Sequence, residues 1–159
     1  MLDDALRNKR SAVMSRVRSQ GNKSTELRMI QVFRSAHIKG WRRNYALAGK
    51  PDFVFPHMKA VVFVDGCFWH GCAKCYRRPN SNQAYWDNKI NGNIARDKRV
   101  TRQLRRLGWA VLRVREHEFK NIEVLKARLE RFFNRTHSGM RLLNGASENQ
   151  EEKVTGSPA

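Results

Sequence analysis

From Thr25 onward, Leu27, Ile30 and Phe33, with Val32 and Ala36 beside them, recur at three- and four-residue spacing. That spacing predicts an amphipathic helix behind the capping residues at 22–24. Residues 41–45 read as a short strand, Gly49-Lys50-Pro51 punctuates the chain, and Asp52-Phe53-Val54-Phe55 reads as a second strand. After a turn at 56–59, residues 60–64 (AVVFV) are too rich in β-branched side chains for a surface position, which predicts a central strand. A long helix is expected over about 84–107, because Trp86, Ile90, Ile94, Asp97, Thr101, Leu104 and Leu107 share one face and Gly108 offers a stop. Residues 109–114 read as a further strand, and Ile122, Leu125, Leu129 and Phe132 line a last helix. The order predicts one α/β domain whose mixed β-sheet is flanked by helices on both faces. Its expected limits are a basic N-terminal arm at 1–22, the domain at 23–135 and a disordered tail at 136–159.

Charge sharpens this picture. The 159 residues carry 32 Lys+Arg against 14 Asp+Glu, a formal net charge of +18. The tail holds Arg141 and Lys153 against Glu148, Glu151 and Glu152, so its −1 leaves +19 on the first 135 residues. A field of that size on a small body points to a polyphosphate partner. No apolar run approaches the roughly 20 residues of a membrane span, and the first twenty residues show no signal-peptide pattern. All three cysteines fall between Cys67 and Cys75, which suits a metal site in a reducing compartment better than a disulfide framework. The expected location is cytoplasmic, at the nucleoid.

Three groups of residues carry candidate chemistry. Cys67, Cys72 and Cys75 supply three thiolates, and a closed zinc site wants a fourth N or S ligand. His70 would complete a local knuckle, whereas His117, just past the strand at 109–114, would tie the loop to the core. Asp52 opens an apolar strand, a costly place for a lone carboxylate unless a cation or donors lie nearby. Two oxygens converging from adjacent strands would suit Mg²⁺ beside phosphate, although Asp after Pro also merely opens turns. Glu26 shares the apolar face of the first helix, or else serves as a first-turn acid favoured by the helix dipole.

The run Val64-Asp65-Gly66-Cys67-Phe68-Trp69-His70-Gly71-Cys72, with Pro51-Asp52-Phe53-Val54 upstream, resembles the very short patch repair mismatch endonucleases. Tyr85-Trp86, the run at 93–97 and Gly108-Trp109-Ala110-Val111-Leu112-Arg113-Val114 are similar to that family too, so the resemblance covers about residues 8–133. It implies a restriction-endonuclease-like core and a Mg²⁺-dependent enzyme that nicks duplex DNA 5′ of the T of a T:G mismatch, initiating very short patch repair of deaminated 5-methylcytosine. By the same resemblance Asp52 and the backbone of Val64 hold Mg²⁺, His70 is catalytic, and Glu26 supports the active site. Phe68, Trp69, Trp86 and, on the arm, Met14 fall on DNA-intercalating positions. His117 falls on the fourth ligand of a structural zinc ion, where Cys is common, and because the resemblance makes His70 catalytic it leaves His117 for zinc. Val64 replaces a threonine and Asp65 a histidine of some members, and Asp65 is left as a further metal-side group. The implied partner is mismatched duplex DNA bound by a monomer, with mismatch-repair proteins as further candidates. Two rival readings fit the same charge and cysteines: a restriction-type nuclease on undamaged duplex, and a non-catalytic zinc-stabilised DNA-binding protein.

Overall fold

The computed structural model describes residues 25–147, with side chains as far as Thr136. The expected arm, including Met14, and residues 148–159 lie outside it. Helix α1 spans Glu26–Ser35, strand β1 Phe53–Phe55, strand β2 Ala60–Asp65, helix α2 Gln83–Arg106, strand β3 Ala110–Arg115 and helix α3 Ile122–Ser147. Short 3₁₀ turns at Pro56–Met58 and Glu116–Lys120 join β1 to β2 and β3 to α3. The sheet is mixed, in the order β1-β2-β3, with β1 antiparallel and β3 parallel to the central β2.

Helices cover both faces. On one side Met29, Val32 and Phe33 of α1 and Leu125, Leu129 and Phe133 of α3 pack on Phe53, Phe55, Val62, Leu112 and Val114. The Phe33 ring meets Phe53 and Phe55 edge-on at 5.1 and 5.5 Å. Being fully buried among them, it is worth about 3–5 kcal/mol against alanine. On the other side Leu104 of α2 seals Val54, Val61 and Phe63. Gly108, at φ +79°, ends α2 in a Schellman turn, with Trp109 N–H donating to the Leu104 carbonyl and Gly108 N–H to that of Arg105, both at 3.0 Å.

Several expectations need correcting. Residues 41–45 form no strand, only a bridge between Arg42 and Val54, because Asn44 turns into the left-handed region at φ 53°. Trp41 packs on Phe53 all the same. Leu27 is exposed and Met29 takes its place in the core, since the sheet meets α1 along the 26-29-33 row. Leu107 is also exposed, because the chain leaves the helix axis at the turn that follows it. In α3 the buried position is Phe133, with Phe132 at the margin, since the core follows the 125-129-133 row. That helix runs to Ser147, past the expected boundary at 136: once a packed face has nucleated a helix, adding residues is cheap and 136–147 hold no proline.

Candidate active site and metal centre

Residues 66–82 connect β2 to α2 and carry the three cysteines. The Sγ atoms of Cys67, Cys72 and Cys75 and a ring nitrogen of His117 lie within 4.8 Å of one another. His117 Nδ1 stands 3.3 Å from Cys67 Sγ and 3.4 Å from Cys72 Sγ. Tetrahedral Zn²⁺ with ordinary Zn–S and Zn–N bonds separates S from N by about 3.6 Å, so the donor set and its spacing fit zinc. His117 sits on the 3₁₀ turn after β3, and a bound ion there would staple the loop to the sheet. Burial pushes the Cys67 thiol up to about 12. At Cys72 burial works the same way, but the N–H groups of Lys74 and Cys75 and the neighbouring thiols outweigh it and leave the thiol below its ordinary value.

His70 belongs to a different cluster. Gly71, at φ +55°, lets the loop press on α2: a Cβ there would meet Ile94 Cδ1 at 2.8 Å and Ile90 Cγ2 at 3.0 Å. Asn93 Nδ2 donates to the Trp69 carbonyl at 2.8 Å, and an Arg115 guanidinium N–H to that of His70 at 3.2 Å. Thus held, His70 Nδ1 lies 2.5 Å from Asp97 Oδ2 on α2. The contact assigns the Nδ1 proton to that bond and leaves Nε2 as the nitrogen that can take a proton from water. Burial opposes charge on Asp97, but His70, Arg113 and Arg96 prevail and hold its carboxyl below the usual range.

Arg113 organises the acids around this pair. Its Nε and one terminal nitrogen donate to the two oxygens of Asp65, each at 2.8 Å, and the same terminal nitrogen lies 2.8 Å from Asp97 Oδ1. Asp65, 2% exposed, is thereby neutralised in place. Asp65, His70 and Asp97 approach closely enough to suggest a metal site, yet the guanidinium already supplies the cation among them. Sequence reasoning passed over both partners. The signal for Asp97 was a carboxylate on the inner stripe of α2, and that for Arg113 an arginine on the β3 face that packs against that helix.

Asp52 is placed differently. Its Oδ2 accepts the Val64 N–H at 2.7 Å, which brings β2 backbone against the carboxylate. Among the described residues it makes no ion pair, whereas Glu26 pairs with Arg43. Burial, followed by the charges of Glu26 and Asp65, raises Asp52 to about 6 against the lowering effects of Val64 and Arg113. A half-buried acid near other acids attracts a divalent cation, and a carboxylate is the oxygen ligand that Mg²⁺ takes.

At the other edge of the loop the rings of Phe68, Trp69 and Trp86 gather. Phe68 lies 5.3 Å from both Trp69 and Trp86, and the two indoles are 6.1 Å apart. All three are half-buried, so Trp86 belongs to this cluster and not to the main core. Between α2 and the arginines of β3 a groove of about 740 Å³ opens, with His70 and Asp97 in its wall.

Residues 2–77 match the family described as DNA mismatch endonuclease Vsr. The chain is 36% identical to the type II nicking enzyme V.XorIIP of Xanthomonas oryzae pv. oryzae over 81% of its own length and 95% of that protein. It is 51% identical to the type II nicking enzyme V.NaeI of Lentzea aerocolonigenes over 43% of its length, which spans 42% of that relative. To the DNA mismatch endonuclease Vsr of Escherichia coli it is 40% identical over half of its length and 52% of that protein. With near-complete coverage of a relative at that identity, this chain belongs to the Vsr family.

Proposed function

We propose that this protein is a DNA endonuclease that nicks one strand of duplex DNA 5′ of the T in a T:G mismatch. The observation that carries the reading is that Arg113, bound to Asp97 of a His70–Asp97 pair in the wall of an open groove, also acts on Asp52, an acid with no ion pair among the described residues. A protein that only bound DNA would gain nothing from acids facing phosphate. The relative in Escherichia coli is named a mismatch endonuclease and the others nicking enzymes, which supports single-strand cleavage.

In this reading Asp52 and the Val64 carbonyl hold Mg²⁺, which when bound supplies Lewis-acid stabilisation of the phosphoryl and leaving oxygens. His70 Nε2 takes the proton of the attacking water while Asp97 holds the ring and steadies the imidazolium. The water oxygen bonds to phosphorus, the P–O3′ bond breaks, and solvent protonates the departing 3′ oxygen. Glu26, tied to Arg43, shapes the field at Asp52. Zinc on Cys67, Cys72, Cys75 and His117 is structural, since four protein ligands leave no position for substrate. We read the core as restriction-endonuclease-like, on the acid at the mouth of β1 set against β2. The enzyme works as a cytoplasmic monomer, with residues 1–22 as a DNA-embracing arm that uses Met14. Among the described residues no helix is long and apolar enough to cross a membrane.

Mismatch recognition is assigned to Phe68, Trp69 and Trp86. Prising a base step apart costs a few kcal/mol, and less at a mismatch, while stacking returns about 1–3 kcal/mol per ring. Insertion is then favourable at the weak step and unfavourable elsewhere. Trp69→Ala should lower nicking of a T:G duplex by about tenfold or more, with a much smaller change in binding to matched duplex. Equal losses on the two duplexes, in a variant with the wild-type melting curve, would remove these rings from recognition.

A further inference from the structure

The groove beside His70 continues along the C-terminal half of α2, where Lys98, Arg102, Arg105 and Arg106 line it. All four are exposed, and none makes an ion pair among the described residues. Arg113 and Arg115, which face them across the groove, are committed to Asp65. Lys98, Arg102 and Arg106 repeat at i, i+4 and i+8, so they repel one another along one helix face. The helix dipole favours Arg105 and Arg106 in the last turn, but it does not reach Lys98 and Arg102. A row of unpaired cations held beside a groove is offset when a polyanion lies in it.

The order of side chains along α2 indicates which part of a DNA strand would lie there. Trp86 stands in the first turn, Asp97 with His70 follows about 16 Å on, and the cations extend a further 12 Å or so at 1.5 Å per residue. Along one strand of B-DNA phosphates recur every 3.4 Å of axis, so the row spans about three of them. We propose that Lys98, Arg102, Arg105 and Arg106 form a phosphodiester-binding track for the nicked strand, on the side of the cut away from the aromatic cluster. The track rests on the nicking function proposed above, and it binds backbone without reading bases.

The test compares wild type, Arg102→Gln/Arg105→Gln/Arg106→Gln and a control, Arg34→Gln/Arg131→Gln/Arg135→Gln, that removes equal charge from α1 and α3. Steady-state nicking and equilibrium binding are measured on a synthetic duplex carrying one T:G mismatch, across a salt series, after melting curves confirm that all three are folded. The track predicts for the groove variant a KM raised about tenfold or more near 0.1 M salt, a kcat within about twofold, and a salt slope shallower by about 2–3. The control should stay near wild type. An unchanged slope in the groove variant, or an equal loss in the control, would overturn the track. If wild type binds the duplex but never nicks it, the function has failed, while the binding slopes still decide the track.

Discussion

Asp52→Asn should reduce nicking by at least about 10³-fold and, in magnesium-free buffer, leave the protein more stable than wild type at pH 8. The first effect follows from removing the carboxylate assigned to the metal, since Lewis-acid stabilisation at phosphate is worth several kcal/mol. The second follows from Asp52's raised value of about 6 against an ordinary 3.8. Between about pH 4 and 6 the folded state keeps a proton that the unfolded state has lost, so stability falls as pH rises through that window. Above it the penalty is constant, at most about 3 kcal/mol, because each tenfold change in proton affinity is worth about 1.4 kcal/mol. Asparagine is nearly isosteric, stays neutral and can still accept the Val64 N–H, so it removes that penalty. Denaturant melts at pH 4 and pH 8 should show the two proteins alike in acid and the variant ahead at pH 8. A variant that nicks like wild type, or that is less stable at pH 8, contradicts the account of Asp52.

The second large effect concerns zinc. Structural zinc sites in finger peptides contribute about 10–16 kcal/mol of apparent binding energy at neutral pH, which matches or exceeds the whole stability of a typical domain. Cys67→Ala and His117→Ala should therefore lose the single equivalent of bound metal expected in the wild type and melt without a sharp transition. His70→Ala should keep the zinc and the fold and lose about 10²–10⁴-fold in nicking rate, the range for a general base. Metal analysis of the purified variants separates the two histidines. Full zinc in His117→Ala with loss in His70→Ala would put the fourth ligand inside the loop and vacate the catalytic assignment.

Much of the fold was legible because its signals are local and strong. The run at 60–64 has no solvent-tolerant side chain and forms the central β2. The period of α2 from Ile90 to Leu104 and the glycine after it mark a helix whose observed ends lie within a residue of those expected. What failed depended on tertiary context: only the left-handed Asn44 and the angle at which the sheet meets α1 decide that residues 41–45 stay irregular and that Met29 displaces Leu27. For the site, spacing showed that three thiolates lacked a fourth ligand but left two histidines competing. The choice between them is a matter of where β3 ends, because that strand delivers His117 to Cys67 and leaves His70 against Asp97. Arg113 was hidden in plain alternation: Leu112 and Val114 point to one core, so the arginines between and beyond them face α2, where a half-buried cation needs the acids that Asp65 and Asp97 provide.

The most direct measurement is a strand-resolved nicking assay of the wild-type protein with Mg²⁺, on end-labelled duplexes that differ only in carrying T:G or T:A at one position. The account predicts one cut, in the strand bearing the mismatched T and on its 5′ side, with the matched duplex left intact and no cleavage when Mg²⁺ is chelated. Equal cutting of the two duplexes, cleavage of both strands, or tight binding with no cut at all would contradict it.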